Sequence, residues 1–293
     1  MMEQRELKNK KTIFIMKNKL KTILLFFAII ISVPVFGQEE NTEEGQETLL
    51  AQEEALARKA QNPIANMISV PLQNNTNFGI GEYDRNQNVL NIQPVIPVSL
   101  GSWNLINRFI APIIWQPDVF EEDGTTFGLG DIVYQGFFTP AKSGSVTWGV
   151  GPVLIFPTAI GVEGARKWSA GPAAIVVAFV KKWVIGGVVY NAWSFAGHSD
   201  RRDVNAGVFQ YFVNYNLPKA WYLTSAPIIS VNWNGEEDDK WIVPFGGGTG
   251  KIFAIGKQKF NGQVSAYYNA VKPATPDGPD WSLRFQLVFL FPK

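Results

Sequence analysis

The last fifteen residues of the chain, PDWSLRFQLVFLFPK, alternate between apolar and polar side chains. Large apolar residues occupy the odd-numbered positions from 281 to 291, and Ser282, Arg284 and Gln286 lie between them. A period of two residues is typical of a β-strand whose two faces meet different surroundings. In a soluble sandwich the apolar face would point to the core, whereas in a transmembrane barrel it would point to lipid. This pattern alone leaves two all-β folds open.

The connections between strands favour the barrel. From about residue 65 the chain divides into twelve candidate strands, and the odd-numbered connections are long and polar, as in NNTNFGIGEYDRNQN, QPDVFEEDGTT and AGHSDRRD. The even-numbered connections, such as GS, KK and PK, are tight. This alternation is typical of an up-and-down barrel with long outer loops and short periplasmic turns. An even number of strands also places both termini in the periplasm.

The ten tryptophans give an independent test, because indole rings prefer the interface between lipid and water. All ten lie near candidate strand ends, and three strands carry one at each end, ten or twelve residues apart, so both rings share a face. A tilted strand of that length climbs roughly 23 to 28 Å, the height of an outer-membrane apolar band. We therefore predict an all-β transmembrane up-and-down antiparallel β-barrel of about twelve strands. The predicted interface girdle is Trp103, Trp115, Trp148, Trp168, Trp183, Trp193, Trp221, Trp233, Trp241 and Trp281.

If lipid surrounds the barrel, the polar residues at alternate positions of each strand face the lumen. Eight strands are filled by their own side chains and sixteen leave an aqueous channel, so twelve permit a narrow pore. The pore-lining candidates are Arg108, Asp131, Gln135, Arg284 and Gln286. The alternative interpretation is that Arg108, Arg284 and Asp131 pair with one another and fill the lumen.

Prolines inside the candidate strands predict an irregular wall, because each removes a ladder hydrogen bond. They are Pro71, Pro94, Pro97, Pro112, Pro152, Pro172, Pro227 and Pro244. Since a closed barrel has no edge strand, we expect bulges or kinks at several of them. Pro94, Pro97 and Pro112 lie in consecutive strands, so they also suggest a place where the wall opens sideways for an apolar solute.

The N-terminal residues 1–37 have the features of a secretory signal peptide. Lysines at positions 17, 19 and 21 precede a 14-residue apolar run from Ile23 to Phe36, which is followed by a polar stretch. The run is shorter than the roughly 20 residues that a spanning helix needs. We expect Met16 to be the true start and cleavage to follow Gly37. Secretion to the outer membrane follows from this leader and the barrel pattern together.

Residues 38–62 differ in composition from what precedes and follows them. They are rich in glutamate, contain no aromatic residue and include a helix-favouring stretch from Glu47 to Ala60. We interpret them as an acidic periplasmic linker with a short helical or disordered segment, because such charges suit water. A helix inserted into the pore is the alternative. Residues 63–293 then form the outer-membrane barrel.

Other chemistry receives little support from the sequence. The chain has no cysteine, which excludes a disulfide framework and a thiolate metal site, and its near-neutral charge argues against binding nucleic acid. His198, the only histidine, lies in a polar loop beside Ser199 and Asp200, where a catalytic arrangement is improbable. Asp200 and Asp203 alternate with arginines, which favours charge pairing over a calcium site. GGGTG at 246–250 lacks the lysine of a phosphate loop, so we interpret it as relief of wall curvature. We expect no enzyme, cofactor or metal.

Several segments also resemble a known family. NVLNIQPVIPVSL, GLGDIVYQGFFTPAK, WGVGPVLIFPTA and the terminal PDWSLRFQLVFLFPK are similar to bacterial outer-membrane transporter-like barrels associated with the MetA pathway of phenol degradation, which genomes often mislabel neuromedin U. The resemblance covers roughly residues 55 to 293. It implies a membrane barrel and uptake of small molecules, aromatic ones included, and it supplies no catalytic residue. Pro292 and Lys293 depart from the terminal phenylalanine on which outer-membrane barrels commonly end.

The sequence thus leads to three hypotheses about function. The first is passive passage of small solutes, aromatic or apolar ones included, through an outer-membrane channel. The second is a structural or adhesive barrel that does not conduct, and the third is a lipid hydrolase that uses His198. The expected partners are outer-membrane lipid, the barrel-assembly machinery during biogenesis and a small-molecule solute, with no nucleic acid.

Overall fold

The computed structural model describes residues 55–56, 58–161, 164–274 and 278–292. The predicted signal peptide and the first part of the predicted linker lie outside these residues. Residues 55, 56 and 58–60 are helical, and Glu237–Asp239 form a 3-10 turn. Within the described part of the chain, no helix has the length and apolar character needed to cross a membrane.

Fifteen β-segments form twelve antiparallel spans of one sheet that closes on itself. Three spans consist of two segments each, namely β2 with β3, β5 with β6, and β11 with β12. The segments are β1 Ile68–Ile80, β2 Arg85–Ile92, β3 Val95–Leu100, β4 Trp103–Pro117, β5 Thr125–Leu129, β6 Ile132–Pro140, β7 Val146–Phe156, β8 Lys167–Val180, β9 Trp183–Gly197, β10 Asn205–Asn216, β11 Trp221–Ser225, β12 Ile228–Asn232, β13 Trp241–Ile255, β14 Gln258–Val271 and β15 Trp281–Phe291.

Pairing of the first strand with the last one closes the barrel. β1 and β15 are antiparallel, with Ile68 opposite Phe291 and Phe78 opposite Trp281. Closure leaves no exposed sheet edge, which a wall in lipid requires. The fold class predicted from the alternating pattern is confirmed.

The first connection differs from the prediction. β1 continues through NNTNFGI to Ile80, so the turn to β2 is four residues long, with Gly81 and Asp84 at positive φ. Polar side chains are tolerated in this strand because they bond to polar neighbours on the adjacent strands. Asn77 accepts a hydrogen bond from Ser282 at 2.6 Å and donates one to Gln87 at 2.7 Å. The expected long loop is therefore part of the wall.

The outer surface of the wall is apolar and carries all ten tryptophans, each with 38% to 52% of its surface exposed. At the end with the short turns, the rings of Trp103 and Trp148 meet edge to face with centroids 6.0 Å apart. At the end with the long loops, Trp233 and Trp241 meet in the same way at 5.6 Å. The exposed indoles thus form two bands, one at each end of the wall.

The wall is irregular at some of the predicted prolines. Spans are interrupted at Pro94 and Pro227, and the pairing of β13 with β14 shifts register at Pro244. Pro71, Pro97 and Pro112 pair without a shift, and the break after Leu129 has no proline beside it. At Pro94 the neighbouring backbone groups still bond across the interruption, since Gln93 donates to Pro71 and Phe109 donates to Pro94. The wall is therefore not opened at Pro94, Pro97 and Pro112.

Two glycines of the wall allow a direct test of its packing. A Cβ at Gly171 would lie 1.7 Å from the carbonyl oxygen of Asn191, whereas a Cβ at Gly187 would meet nothing nearer than 3.5 Å. We expect Gly171→Ala to destabilise the barrel by about 1–3 kcal/mol, because the clash is with backbone. Gly187→Ala is the matched control. Urea unfolding followed by the mobility of unheated protein in detergent gels measures both, and equal stability of the two variants would contradict this packing.

Candidate functional site

The lumen contains a continuous apolar cluster on one side, and buried polar side chains occur on both sides. Inward-facing residues of spans two to eight form one buried cluster, which consists of Val95, Ile106, Phe137, Val153, Ala173, Ile175, Val177, Val184, Val188, Ala192 and Phe212. The opposite half, formed by β1 and β11 to β15, buries polar side chains, which are Gln73, Thr224, Asn261, Ser265, Asn269 and Arg284. The sequence of β8 and β9 is apolar on both faces because one face meets lipid and the other meets this cluster.

Arg108 lies in the lumen and bonds to two amide side chains. It donates to Oε1 of Gln135 at 3.1 Å and to Oε1 of Gln93 at 2.6 Å. Gln135 is almost fully buried, and Gln93 stands at the interruption between β2 and β3. Both acceptors are neutral, so the guanidinium is hydrogen-bonded without being neutralised by them.

Arg284 is held from three directions. Its Nε donates to Oδ1 of Asn75 at 2.9 Å, its Nη1 donates to the carbonyl of Ala226 at 2.8 Å, and its guanidinium lies 4.8 Å from the ring centroid of Tyr267. A cation over an aromatic face is attracted by the ring quadrupole. The side chain is therefore positioned by neutral groups, as Arg108 is.

Asp131 does not join the two arginines. Its carboxylate accepts the backbone N–H groups of Ala159 at 3.1 Å and Arg166 at 2.9 Å, both in the connection between β7 and β8. The interpretation in which Arg108, Arg284 and Asp131 pair with one another is therefore wrong. A carboxylate that accepts backbone N–H groups anchors a loop. This role was not predictable from the sequence, because the two loop residues follow Asp131 by about thirty positions.

A cavity of about 150 Å³ lies in the lumen between the two arginines. Arg108, Arg284 and Gln286 line it, together with Gln210 from the opposite wall and Asn261 from β14. Of the five pore-lining candidates, three thus border the cavity, Gln135 supports Arg108, and Asp131 binds the outer connection. Sequence analysis missed Gln93, Asn75 and Tyr267, whose roles depend on contacts between strands far apart in the chain.

The chain that precedes the first strand packs inside the barrel. Ile64 belongs to the apolar cluster of the lumen, and Leu56 and Ala60 pack against Ala220, Tyr222 and Ile252. Gln61 donates to Oδ1 of Asn216 at 2.7 Å at the end of the barrel that carries the short turns. These contacts place the described part of this stretch against the inside of the wall, as the alternative interpretation of an inserted segment expects. We call residues 55, 56 and 58–67 the lumen segment.

Comparison with solved structures identifies the architecture. The chain superposes on the COG4313 outer membrane channel from Pseudomonas putida F1 with a TM-score of 0.60 at 17% identity, over 77% of this chain and 95% of that one. The chain has the fold of an outer-membrane channel. At this identity the likeness concerns the fold alone. No protein-family model and no curated protein sequence matches the chain.

Two further structures are similar over most of the chain but superpose less well. They are the CymD monoaromatic hydrocarbon channel, with a TM-score of 0.43 at 9% identity over 83% of this chain and 93% of that one, and outer membrane phospholipase A from Escherichia coli, with 0.38 at 14% over 77% and 96%. Scores this low support no argument about function.

The loops at the outer end are tied together by charge. Lys167 donates to Asp203 at 3.1 Å, and this hydrogen bond, with the positive charge of Lys167, lowers the pKa of the Asp203 carboxyl. His198 lies 3.1 Å from Arg166 and 3.6 Å from Asp200. The carboxylates of Asp203 and Asp200 thus lie near Lys167 and His198. Arg201, one of the arginines expected to pair with them, donates to the backbone carbonyl of Gly164. Among the described residues no group of three potential metal ligands is present.

Gly246, Gly247 and Gly248 lie in β13, in agreement with their interpretation as wall residues. A Cβ at Gly248 would come within 1.9 Å of the carbonyl oxygen of Val264 on β14. The glycines thus permit close approach of neighbouring backbones, which is a structural role and not phosphate binding.

The packing of the lumen segment predicts how to displace it. Placing carboxylates at Leu56 and Ala60, in the variant Leu56→Asp/Ala60→Asp, would bury charge against an apolar cluster at a cost of several kcal/mol. We expect the segment to leave the lumen and the ion conductance in planar bilayers to increase. Ala55, which is exposed, supplies the matched control Ala55→Asp. Equal conductance of the two variants would contradict the packing.

Proposed function

We propose that this chain is an outer-membrane channel for the passive passage of small solutes, with small apolar and aromatic compounds as its preferred cargo. The observation that carries the proposal is the cavity between Arg108 and Arg284, which is bordered by Val95, Val188 and Phe212 of the apolar cluster. A water-filled porin is polar throughout its interior, and such an interior disfavours an apolar solute.

The geometry of the arginines supports an aromatic cargo. A small aromatic molecule has apolar edges, which the valine and isoleucine cluster can contact, and an electron-rich face, which a guanidinium attracts. Arg284 already makes that contact with Tyr267 at 4.8 Å. Because both arginines are bonded to neutral oxygens, their charge remains available to a passing ring or anion.

The proposed location is the outer membrane, with both termini in the periplasm. The apolar outer surface, the two bands of tryptophan and the expected signal peptide support this location. The short turns and the lumen segment lie at the same end of the barrel, which is the end expected to face the periplasm.

A non-conducting structural barrel is the second candidate, and one observation favours it. The lumen segment occupies one end of the barrel, and the cavity that remains is about 150 Å³, close to the size of a single small aromatic molecule. Passage therefore requires movement of the lumen segment or of the wall. A barrel in which neither moves would serve only as a scaffold.

Transport and conductance together decide between these candidates. We expect cells that carry the protein to take up N-phenyl-1-naphthylamine, a small apolar aromatic probe whose fluorescence rises in apolar surroundings, faster than cells without it. We expect purified protein to show a small conductance in planar bilayers. Neither uptake nor conductance, in protein whose folding is confirmed, would eliminate the channel and leave the structural barrel.

The same bilayer measurement tests the two arginines. We expect any ion current to favour anions, and Arg108→Ala/Arg284→Ala to weaken that preference, because fixed positive charges in a narrow lumen raise the local anion concentration. The reversal potential under a salt gradient measures the preference. Arg85→Ala is the matched control, since Arg85 binds the backbone of the outer loop at Glu121 and Gly124. An unchanged reversal potential in the double variant would contradict the assignment.

The lipid-hydrolase hypothesis makes a separate prediction. His198 contacts Arg166 and Asp200 in an exposed loop, an arrangement that does not activate a serine. We expect His198→Ala to equal wild type in a phospholipid-hydrolysis assay and in probe uptake. A hydrolytic activity that is present in wild type and lost in this variant would revive the enzymatic hypothesis.

A further inference from the structure

One seam of the barrel is paired over only part of its length. It lies between β13 and the span formed by β11 and β12. Trp221 to Thr224 pair with Lys251 to Gly248, and Ser230 and Val231 pair with Ile242 and Trp241. The five residues 225–229 between these two blocks have no cross-strand partner on β13. We call this stretch, with the facing residues 243–247, the seam.

The register is the same on both sides of the seam. A bulge would shift the register, whereas here the second block continues the alignment of the first. Pro244 explains one missing bond, because it stands opposite Ile228 and has no N–H to donate across the seam. The alternation of bonds places the backbone nitrogen of Pro227 on the other side, toward β10. Gly246 and Gly247 add backbone without side chains that could pack across the gap. The seam is therefore a stretch where aligned strands lack ladder bonds.

On the lumen side, polar side chains take the place of the ladder. The carbonyl of Ala226 accepts hydrogen bonds from Arg284 at 2.8 Å and from Gln210 at 3.4 Å, and its N–H donates to the hydroxyl of Tyr267 at 3.3 Å. One side-chain bond crosses the seam, from Ser225 to the carbonyl of Gly246 at 2.7 Å. These contacts exchange more easily than a backbone ladder, since rotation of a side chain is enough to break them.

The seam separates two spaces. Inside, Ala226 and Arg284 line the cavity of about 150 Å³. Outside, a groove of about 630 Å³ on the lipid-facing wall is bordered by Phe209, Ile229 and Trp241. Ala226 of the inner lining and Ile229 of the outer lining are three positions apart, and the buried Pro227 lies between them in the chain. Among the described strands the seam is the longest unpaired stretch, since those between β6 and β7 and between β8 and β9 are two residues long.

We propose that the seam is a lateral portal through which a small uncharged apolar solute passes between the lumen cavity and the outer groove. Arg284 and Tyr267 act as its latch by holding Ala226 in the lumen. The inference rests on the proposed function, because it names the route that an apolar cargo takes. The seam is thus the proposed place where the wall opens. The region of Pro94, Pro97 and Pro112 is not, because backbone hydrogen bonds span the interruption there.

A covalent cross-link across the seam tests the portal. The chain contains no cysteine, so Ile229→Cys/Val243→Cys introduces a single pair at positions that the common register places opposite each other. The pair is closed by oxidation or by a short bifunctional maleimide. Ala266→Cys/Leu283→Cys is the matched control, because these residues are paired within the continuous ladder of β14 and β15.

Uptake of N-phenyl-1-naphthylamine by cells is the measured quantity. We expect the closed Ile229–Val243 link to abolish the uptake that wild type shows, and reduction of its disulfide to restore it, while the control link changes nothing. Uptake that survives complete cross-linking, or that falls equally with the control link, would overturn the portal alone. No uptake by wild type would overturn the proposed function and the portal with it.

The latch has its own test. Tyr267→Phe removes the hydroxyl that accepts the N–H of Ala226 and leaves the ring under Arg284. We expect faster uptake of the same probe, since the closed seam loses one of its bonds. Tyr268→Phe is the control, because that neighbouring ring faces outward and packs against Trp281 with centroids 4.9 Å apart. Equal uptake by the two variants would show that Tyr267 does not hold the seam.

Discussion

The structure depends on one constraint, namely that a wall surrounded by lipid must satisfy its own backbone hydrogen bonds. Pairing of β1 with β15 meets this constraint over most of the surface, because it removes the sheet edge. Where prolines or breaks interrupt the ladder, side chains substitute for it. Thr158 accepts the N–H of Ile132 and donates to the carbonyl of Gly130, and Arg284, Gln210 and Tyr267 bind Ala226. Some of the polar side chains in the lumen thus serve to hydrogen-bond the backbone of the wall.

The side chains that bond the broken wall near β11 and β12 are polar, namely Arg284, Gln210 and Tyr267. The apolar cluster of the lumen lies on other spans and includes Val177, Val184 and Val188 of β8 and β9. Arg284 has two roles, since it bonds the broken wall and also borders the cavity.

Much of the fold was predictable from the sequence because it follows from local patterns. Alternation in PDWSLRFQLVFLFPK oriented the last strand, and the spacing of tryptophans gave the height of the wall. The contacts of the site were not predictable, because they join residues far apart in the chain, as Arg284 with Asn75 and Asp131 with Arg166. Two predictions made from composition differ from the structure. The asparagine-rich residues of β1 were predicted to be a loop, because asparagine is common in loops. The glutamate-rich stretch was interpreted as solvated, although its Leu56 and Ala60 pack in the barrel.

Crystals of the protein soaked with bromobenzene test most directly the proposal that the lumen between Arg108 and Arg284 accepts a small aromatic molecule. Anomalous scattering locates the bromine without assumptions about the route. We expect a bromine peak in the lumen cavity between the two arginines, against the apolar cluster. Bromine that binds only among the detergent on the outer wall, with the cavity unchanged, would contradict it.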